Sequence, residues 1–355
     1  MPNGKPYILF CAGEDSGDCI GEPLVKAIAS QYVAKGSGGK RMQNAGLLPL
    51  VDFENLPVSG FGDVLPKYFE LRKSFNKLKI ALESPECLGL VAIDYPGFNM
   101  KLAKLAGKLR KPVLYVAPPQ VWAWKRKRAQ VLAKNPYAKL AVFFDFEEAV
   151  YKAAGCNVVR VQHPFCEADS VVSHSSKNIL LFPGSRKSQA LRNLPVFLKA
   201  VQKTQNVILV AARQELVPAF KKYNLQVVVA PQSVEDRMSL YRSAEYAITA
   251  PGTATLELAL SGVPFTVCTR PDPLTYVLGR LFIKTKFFAL PNIILGRLVF
   301  PEHIVSPWCT RNNVNLSCTK CDDVSAEIRE KLAVGKTLEQ LAFEFLGQLV
   351  ERESQ

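Results

Sequence analysis

Two kinds of loop in this sequence hold residues that could do chemistry. The first kind is acidic and small: Gly13-Glu14-Asp15-Ser16-Gly17-Asp18 follows the apolar run Tyr7–Ala12. Its glycines let a ligand approach the backbone, while its carboxylates exclude a simple phosphate cradle. Such residues suit hydroxyl-rich groups, sugars among them. Asp94, in VAIDYPGFN, closes another apolar run. A carboxylate there can serve as a general base, or it can cap the helix that begins near Asn99. The second kind of loop is built on glycine. Pro183-Gly184-Ser185-Arg186 offers backbone donors and a bidentate guanidinium for phosphate. Pro251-Gly252-Thr253-Ala254-Thr255-Leu256-Glu257 sets a glycine turn at a helix start, a place that favours pyrophosphate. Glu257, one turn in, could accept hydrogen bonds from ribose hydroxyls. Either loop alone reads as ordinary capping; two in one half point to a nucleotide diphosphate donor.

Other chemistries drop out. There is no GxGxxG, and Gly335-Lys336-Thr337 carries Glu330 where a P-loop needs its upstream glycine. No Asp-x-Asp triplet offers a carboxylate pair to a divalent ion on a diphosphate. That charge would fall to Arg186, a helix terminus and nearby Lys or Arg. The expectation is no metal and no cofactor.

Strand and helix patterns alternate along the chain and must position these loops. Tyr7–Ala12, Leu88–Asp94, Val113–Ala117, Leu140–Phe144 and Val158–Gln162 read as buried strands of one half, with helices over Ile20–Ala34 and Asn99–Arg110 between them. Asn178–Phe182, Val207–Ala211, Gln226–Ala230, Tyr246–Thr249 and Phe265–Thr269 repeat the pattern, with helices at Ser188–Lys203, Val234–Ser243 and Thr253–Leu260. Short connections between strand and helix imply parallel sheets with right-handed crossovers. The polar stretch Cys166–Lys177 is the natural linker. The fold class is α/β: two doubly wound domains, 1–170 and 171–335, facing each other across a cleft, and a terminal helix, 336–355, packing back on the body. Ligands of such sheets sit outside the carboxyl ends of the strands.

The 355 residues carry a net charge of +14, which calls for an anionic partner. Eleven basic and no acidic residues fall between Lys101 and Leu140. Nucleic acid, an anionic leaflet or a solvated helix face would each explain the run. With no zinc-finger, RNP or basic-zipper pattern, the membrane ranks above nucleic acid. Nine irregularly spaced cysteines behind a start without an apolar leader read as reduced thiols in a cytosol.

In order, GEDSGD, IDYPGFN, PPQVWAWKRKR, the QHP of Gln162–Pro164, LFPGSR, PGTATLELALSGVP, PLTY and LPNIILGR resemble the lipid-A-disaccharide synthase family from about Tyr7 to Glu302. This family consists of bacterial glycosyltransferases (family 19) with the GT-B fold. The resemblance implies inverting, metal-independent transfer of 2,3-diacylglucosamine from its UDP donor to the 6-hydroxyl of lipid X. It also implies a peripheral place on the cytoplasmic face of a Gram-negative inner membrane. Position by position, it makes Asp94 the base. It places Gly13, Glu14, Ser16, Gly17, Asp18, Asn99, Gln120, Trp122 and Trp124 at the acceptor or active-site loops. Gly184, Ser185, Arg186, Gly252, Thr253, Glu257 and Asn292 fall at UDP-sugar positions. Gly97 stands where the family carries a second aspartate, Gln189 where an acidic residue follows PGSR, and Gln162 where glycine precedes His-Pro. Partners are then the UDP-sugar, lipid X and an anionic membrane, with no nucleic acid; the chain is a monomer or homodimer. Alternatives are another GT-B enzyme of UDP-sugars (an epimerase or a peptidoglycan glycosyltransferase) or a non-catalytic membrane- or sugar-binding module.

Diacylated substrates live in a bilayer. Phe61–Leu82 mixes Val64, Leu65, Tyr68 and Phe69 with Arg72 and Lys73, the composition of an interfacial helix. Tyr276–Phe300 is also basic and aromatic, yet Pro291 and Gly296 break it, so core and cleft wall are expected there. His163 could face the donor or be a structural histidine. His303, Cys309, Cys318 and Cys321 are weak candidates for a zinc site.

Overall fold

The computed structural model describes residues 5–56, 60–122, 125–166, 178–201, 206–231, 233–282, 285–308 and 322–353, the side chains of 55, 60–67, 282, 322–323 and 352–353 excepted. The chain forms two compact units. One takes most of the residues up to Pro164 together with the segment from Ala333 onward, the other Phe165–Leu332 and the short piece Val58–Gly62.

The first unit is a parallel sheet of seven strands. These are β1 (Tyr7–Cys11), β2 (Val33–Ser37), β3 (Leu48–Pro49), β4 (Cys87–Ile93), β5 (Val113–Val116), β6 (Ala138–Val142) and β7 (Asn157–Arg160), in the order β3-β2-β1-β4-β5-β6-β7. β1 (YILFC) is buried at every position and β4 nearly so, as a sheet covered on both faces requires. The Asp15–Ile28, Gly60–Glu83 and Pro96–Lys108 helices belong to this unit. So does the Leu338–Glu353 helix, which buries Leu338, Leu341, Phe345 and Leu349. It packs on the sheet closely enough that a Cβ on Gly89 would stand 3.0 Å from Phe345. A bridge between Val161 and Lys336, and Lys139 Nζ at 2.8 Å from Glu344, tie the returning segment down.

The second unit holds six parallel strands: β8 (Asn178–Phe182), β9 (Asn206–Ala211), β10 (Gln226–Val229), β11 (Ala244–Thr249), β12 (Phe265–Thr269) and β13 (Glu302–Ile304). Their order is β10-β9-β8-β11-β12-β13. Leu181, Leu194, Phe197, Leu209, Phe220 and Ile248 are among its buried core.

The two-sheet α/β fold is therefore as expected, and the differences lie in its details. The first helix spans Asp15–Ile28 rather than reaching Ala34, because Val33–Ser37 leaves it to pair with β1. Gly36, at φ +147, lies so close to the Phe10 carbonyl that no side chain would fit there. β3 and β13 are short additions at the sheet edges.

Within the region Tyr276–Phe300, expected as core and cleft wall, burial is mixed. Its Leu290–Leu295 helix buries Pro291, Asn292 and Ile294. The Pro273–Phe282 helix before it leaves Leu274, Val277 and Leu281 exposed.

Candidate active site

In each unit the strand order reverses once, between β1 and β4 and between β8 and β11. The two loops that diverge at such a point leave a crevice at the strands' carboxyl ends, where open α/β sheets bind ligands. All four loops singled out in the sequence fall there. Gly13–Asp18 follows β1, Asp94 follows β4, Pro183–Arg186 follows β8, and Pro251–Gly252 follows β11.

In the first unit Asp94 is half-buried, and both it and Tyr95 lie at φ 45. Non-glycine residues are scarce there, at a cost of about 1–3 kcal/mol each. The surroundings hold them in place. Buried Asn99, one turn into the Pro96–Lys108 helix, donates from Nδ2 toward the carbonyls of Cys11 (3.0 Å), Ile93 (3.1 Å) and Asp94 (2.8 Å). The Tyr115 hydroxyl donates to the same Asp94 carbonyl at 3.0 Å. Full burial, reinforced by the charge of Asp94, raises that phenol well above its usual range. The Tyr95 hydroxyl donates to the Leu56 carbonyl at 3.0 Å, and its ring fills the place a Cβ on Gly13 would take. Gly13 is thus required by the Tyr95 ring.

Glu14 and Ser16 are half-buried at the start of the Asp15–Ile28 helix. Gly17 brings that helix close to the sheet, its would-be Cβ 3.3 Å from Ala12 and 3.6 Å from Ile93. The Asp18 carboxylate accepts from the backbone N–H groups of Arg41 and Met42, each at 3.1 Å, and so caps the Lys40–Asn44 helix. Gly97 is exposed, with open space where a side chain would go.

After β5, exposed Gln120 and half-buried Trp122 belong to a loop held by the Tyr151 hydroxyl, which donates to the Pro119 carbonyl at 2.6 Å. The Trp122 indole lies edge-on to Phe146, ring centroids 5.2 Å apart. Its buried N–H faces the Glu147 carboxyl without full hydrogen-bond geometry. Burial pushes Glu147 up to about 7, against the backbone N–H groups of Phe143 and Phe144 that stabilise its charge. His163 is buried with Phe143 4.7 Å away, and burial pulls it down to about 3, so it is a neutral packing group. Trp124 lies outside the described residues, as do Cys309, Cys318 and Cys321.

The second crevice uses glycines where the first uses side chains. Gly184 sits at φ +125 and Gly252 at φ +155. A Cβ on Gly184 would stand 2.7 Å from Gln189 Oε1, whereas one on Gly252 would meet nothing within 4 Å. Ser185 and Thr253 are exposed and Arg186 is half-buried at the start of the Lys187–Ala200 helix. Buried Asn193 does here what Asn99 does in the first unit. Its Nδ2 donates to the Pro183 carbonyl at 2.8 Å, and its Oδ1 accepts from the Arg270 N–H at 2.7 Å.

Glu257 is buried in the Thr253–Leu260 helix. It accepts from the Tyr241 hydroxyl at 2.5 Å and pairs with Arg237 Nε at 3.3 Å. Asn292 is wholly internal. It donates to Phe300 O and Glu302 Oε1, each at 2.7 Å, and accepts from the N–H groups of Val299 and Phe300 at 2.9 and 3.0 Å. With both donors and the carbonyl engaged, it has nothing left for a ligand. These bonds fix the Leu290–Leu295 turn, so a part for Asn292 at a UDP-sugar site would run through the position of that turn.

Sequence reasoning passed over Asn193, Arg237 and Tyr241. A polar residue on an otherwise apolar helix face, as Asn193 is between Ala190 and Phe197, is the signal that could have found the first.

The model of the lipid-A-disaccharide synthetase family matches residues 8–344. The chain belongs to this family. A lipid-A-disaccharide synthase of Trichlorobacter lovleyi is 36% identical, with 86% of this chain and 85% of that protein covered. One from Geobacter metallireducens is 32% identical, with 98% of each covered. Among solved structures, the kitacinnamycin glycotransferase superposes with TM-score 0.59 at 11% identity, covering 98% of this chain and all of the other. Arabidopsis thaliana UGT89C1 gives 0.55 at 12%, covering 96% of this chain and all of the other. At such identities the likeness shows the fold alone, which is GT-B. The chain is a glycosyltransferase of lipid A biosynthesis. No helix among the described residues is long and apolar enough to cross a membrane.

Proposed function

We propose that the chain transfers 2,3-diacylglucosamine from UDP-2,3-diacylglucosamine to the 6-hydroxyl of lipid X (2,3-diacylglucosamine 1-phosphate). The products are the β-1,6 disaccharide 1-phosphate and UDP. The observation that carries this reading is Asp94: a half-buried carboxylate on positive-φ backbone at the switch point of a family member's first sheet. Asp94 takes the proton as the acceptor O6 attacks the anomeric carbon. The bond to the donor diphosphate breaks on the opposite face, its electron pair leaves with UDP, and the anomeric configuration inverts. With Gly97 in place of a second carboxylate, Asp94 carries the base role alone.

The leaving diphosphate meets Arg186 and the N-terminal amides of the Lys187–Ala200 and Thr253–Leu260 helices, where partial positive charge gathers. These groups do the work a divalent ion would otherwise do, so the reaction runs without metal. Glu257, anchored by Arg237 and Tyr241, borders the ribose.

The chain acts from the cytoplasmic face of the inner membrane, reaching an anionic leaflet through the Gly60–Glu83 helix. Tyr68, Phe69, Arg72 and Lys73 are exposed on it, while Leu71, Leu78 and Leu82 are buried. Val64 and Leu65, assigned to the same contact, have side chains outside the described residues.

The test is turnover of UDP-2,3-diacylglucosamine and lipid X in detergent micelles containing EDTA. Disaccharide phosphate should form under chelation. Product that requires added metal would overturn metal independence, and donor binding without product would overturn the acceptor assignment.

A further inference from the structure

We propose that the Pro273–Phe282 helix and Trp308 form a membrane-contact surface on the second unit that takes an anionic lipid leaflet. Leu274, Val277 and Leu281 recur at i, i+3 and i+7, so they share one helix face, and that face is open to solvent. Leu281 is 66% exposed, and Trp308, which packs on Tyr276 of the same helix, is 63% exposed. Single exposed leucines are ordinary; three apolar residues on one helix face, with an exposed tryptophan packed on the same helix, are not.

The patch is organised around Tyr276. The Trp308 ring meets Tyr276 edge-on with centroids 5.6 Å apart, and the Arg280 guanidinium stands 6.0 Å above the same ring. An Arg270 side-chain N–H donates to the Pro307 carbonyl at 2.6 Å and fixes the turn that presents Trp308. Aromatic rings with an apolar body and a polar tip, flanked by arginine and aliphatic side chains, make up the interfacial belt of lipid-bound surfaces.

Charge selects the occupant. From Pro273 to Pro301 the chain has four basic residues (Arg280, Lys284, Lys286, Arg297) and no acidic one. The flanking carboxylates are turned to internal partners. Asp272 caps the helix through the Thr275 N–H at 3.0 Å. Glu302 accepts from the N–H groups of Phe288 and Ala289, each at 2.9 Å. Glu327 pairs with Arg297. Even with Arg297 paired, an apolar stripe in a segment whose other charges, Arg280, Lys284 and Lys286, are all positive fits an anionic leaflet better than a neutral protein partner.

The experiment is flotation of the full chain with phosphatidylcholine vesicles, with and without phosphatidylglycerol. The comparison is between wild type and the Leu274→Glu, Leu281→Glu double variant. Both substituted side chains are more than half exposed, so the melting temperature should stay near that of wild type. Wild type should float with anionic vesicles, and the double variant's partitioning should fall about tenfold. Anionic vesicles should also shift wild-type tryptophan emission to the blue, and Trp308→Phe should remove that shift. If the double variant fails to fold, the Trp308-dependent shift alone decides.

Equal partitioning of the two proteins, or emission unmoved by vesicles, would overturn the proposal. So would a double variant that turns a wild-type dimer into a monomer, since the stripe would then be an interface between copies. Neither readout involves a sugar nucleotide, so this surface and the proposed reaction can fail separately.

Discussion

The two switch-point crevices solve opposite problems with the same topology. In the first, Asp94 and Tyr95 keep side chains at φ 45, where backbone strain is appreciable, and Asn99 and Tyr115 hold them by the carbonyls. In the second, the positive-φ positions are Gly184 and Gly252, which adopt such angles freely. The difference teaches where each crevice delivers its chemistry. A base must be a side chain, so the first unit accepts strain to place one. A diphosphate is met by backbone N–H groups, so the second unit clears the side chains away.

The largest effect should come from exchanging the two functions by mutation. Asp94→Ala should lower kcat by about 10²–10⁴-fold while leaving UDP affinity intact, and Arg186→Ala should weaken UDP binding by about 10–100-fold. Steady-state kinetics with UDP titration would separate them; an Asp94→Ala enzyme with near-wild-type turnover would end the base assignment. Next come the two buried asparagines. Asn99→Ala and Asn193→Ala each strip hydrogen bonds from buried loop groups and should cost about 2–3 kcal/mol in denaturant unfolding. If only one did, the correspondence between the crevices would fail.

The glycines should separate more finely. Gly252→Ala has room for its methyl, so its cost of about 1–2 kcal/mol is conformational alone. Gly184→Ala meets Gln189 as well and should cost more. Equal melting temperatures for the two variants would refute that distinction.

Titration sharpens the contrast further. The second unit's buried Glu257 has Arg237 as its partner, whereas the first unit's Glu147 is raised to about 7 by burial. In the folded chain Glu147 holds its proton above the unfolded value of 4.5, so its contribution to stability is complete below pH 4.5. That contribution is lost as pH rises through 7. His163, held down to about 3, works the other way and costs stability as pH falls from 6.5 toward 3. Glu147→Gln should therefore gain in melting temperature over wild type at pH 8 relative to pH 5, by the equivalent of about 1–2 kcal/mol. An unchanged difference between the two pH values would mean that Glu147 ionises normally. Smallest of all, Gly97→Asp enters open space and should shift stability by no more than about 0.5 kcal/mol. Any rise in kcat would show that a second carboxylate can share the base role.

Much of this was legible from the residues. β1 and β4 are nearly unbroken apolar runs, so burial on both faces could be read directly, and chemistry-bearing residues at their ends had to reach a crevice. Val33–Ser37 was hidden because Lys35 and Gly36 break its run and its alanine continues the preceding helix's pattern. The internal partners of Asp18 and Asn292 were not legible, because type and spacing do not reveal one. Only the fold brings Arg41 and Met42 to one, and Val299 and Phe300 to the other. The exposure of Leu274, Val277 and Leu281 was not legible for a related reason: an apolar helix face looks the same in sequence whether a core covers it or solvent does.

The return of the Leu338–Glu353 helix to the first sheet sets an order on the making of the protein. Apart from the short piece Val58–Gly62, made earlier, the second unit is continuous from Phe165 to Leu332 and is complete once its own residues have left the ribosome. The first unit must wait for the final helix, because Phe345 and Leu349 cover its central strands. During synthesis the earlier-made half is thus the later to close, with apolar surface around Gly89 bare until translation ends. A released chain ending near residue 332 would present a protected second unit and a protease-sensitive first.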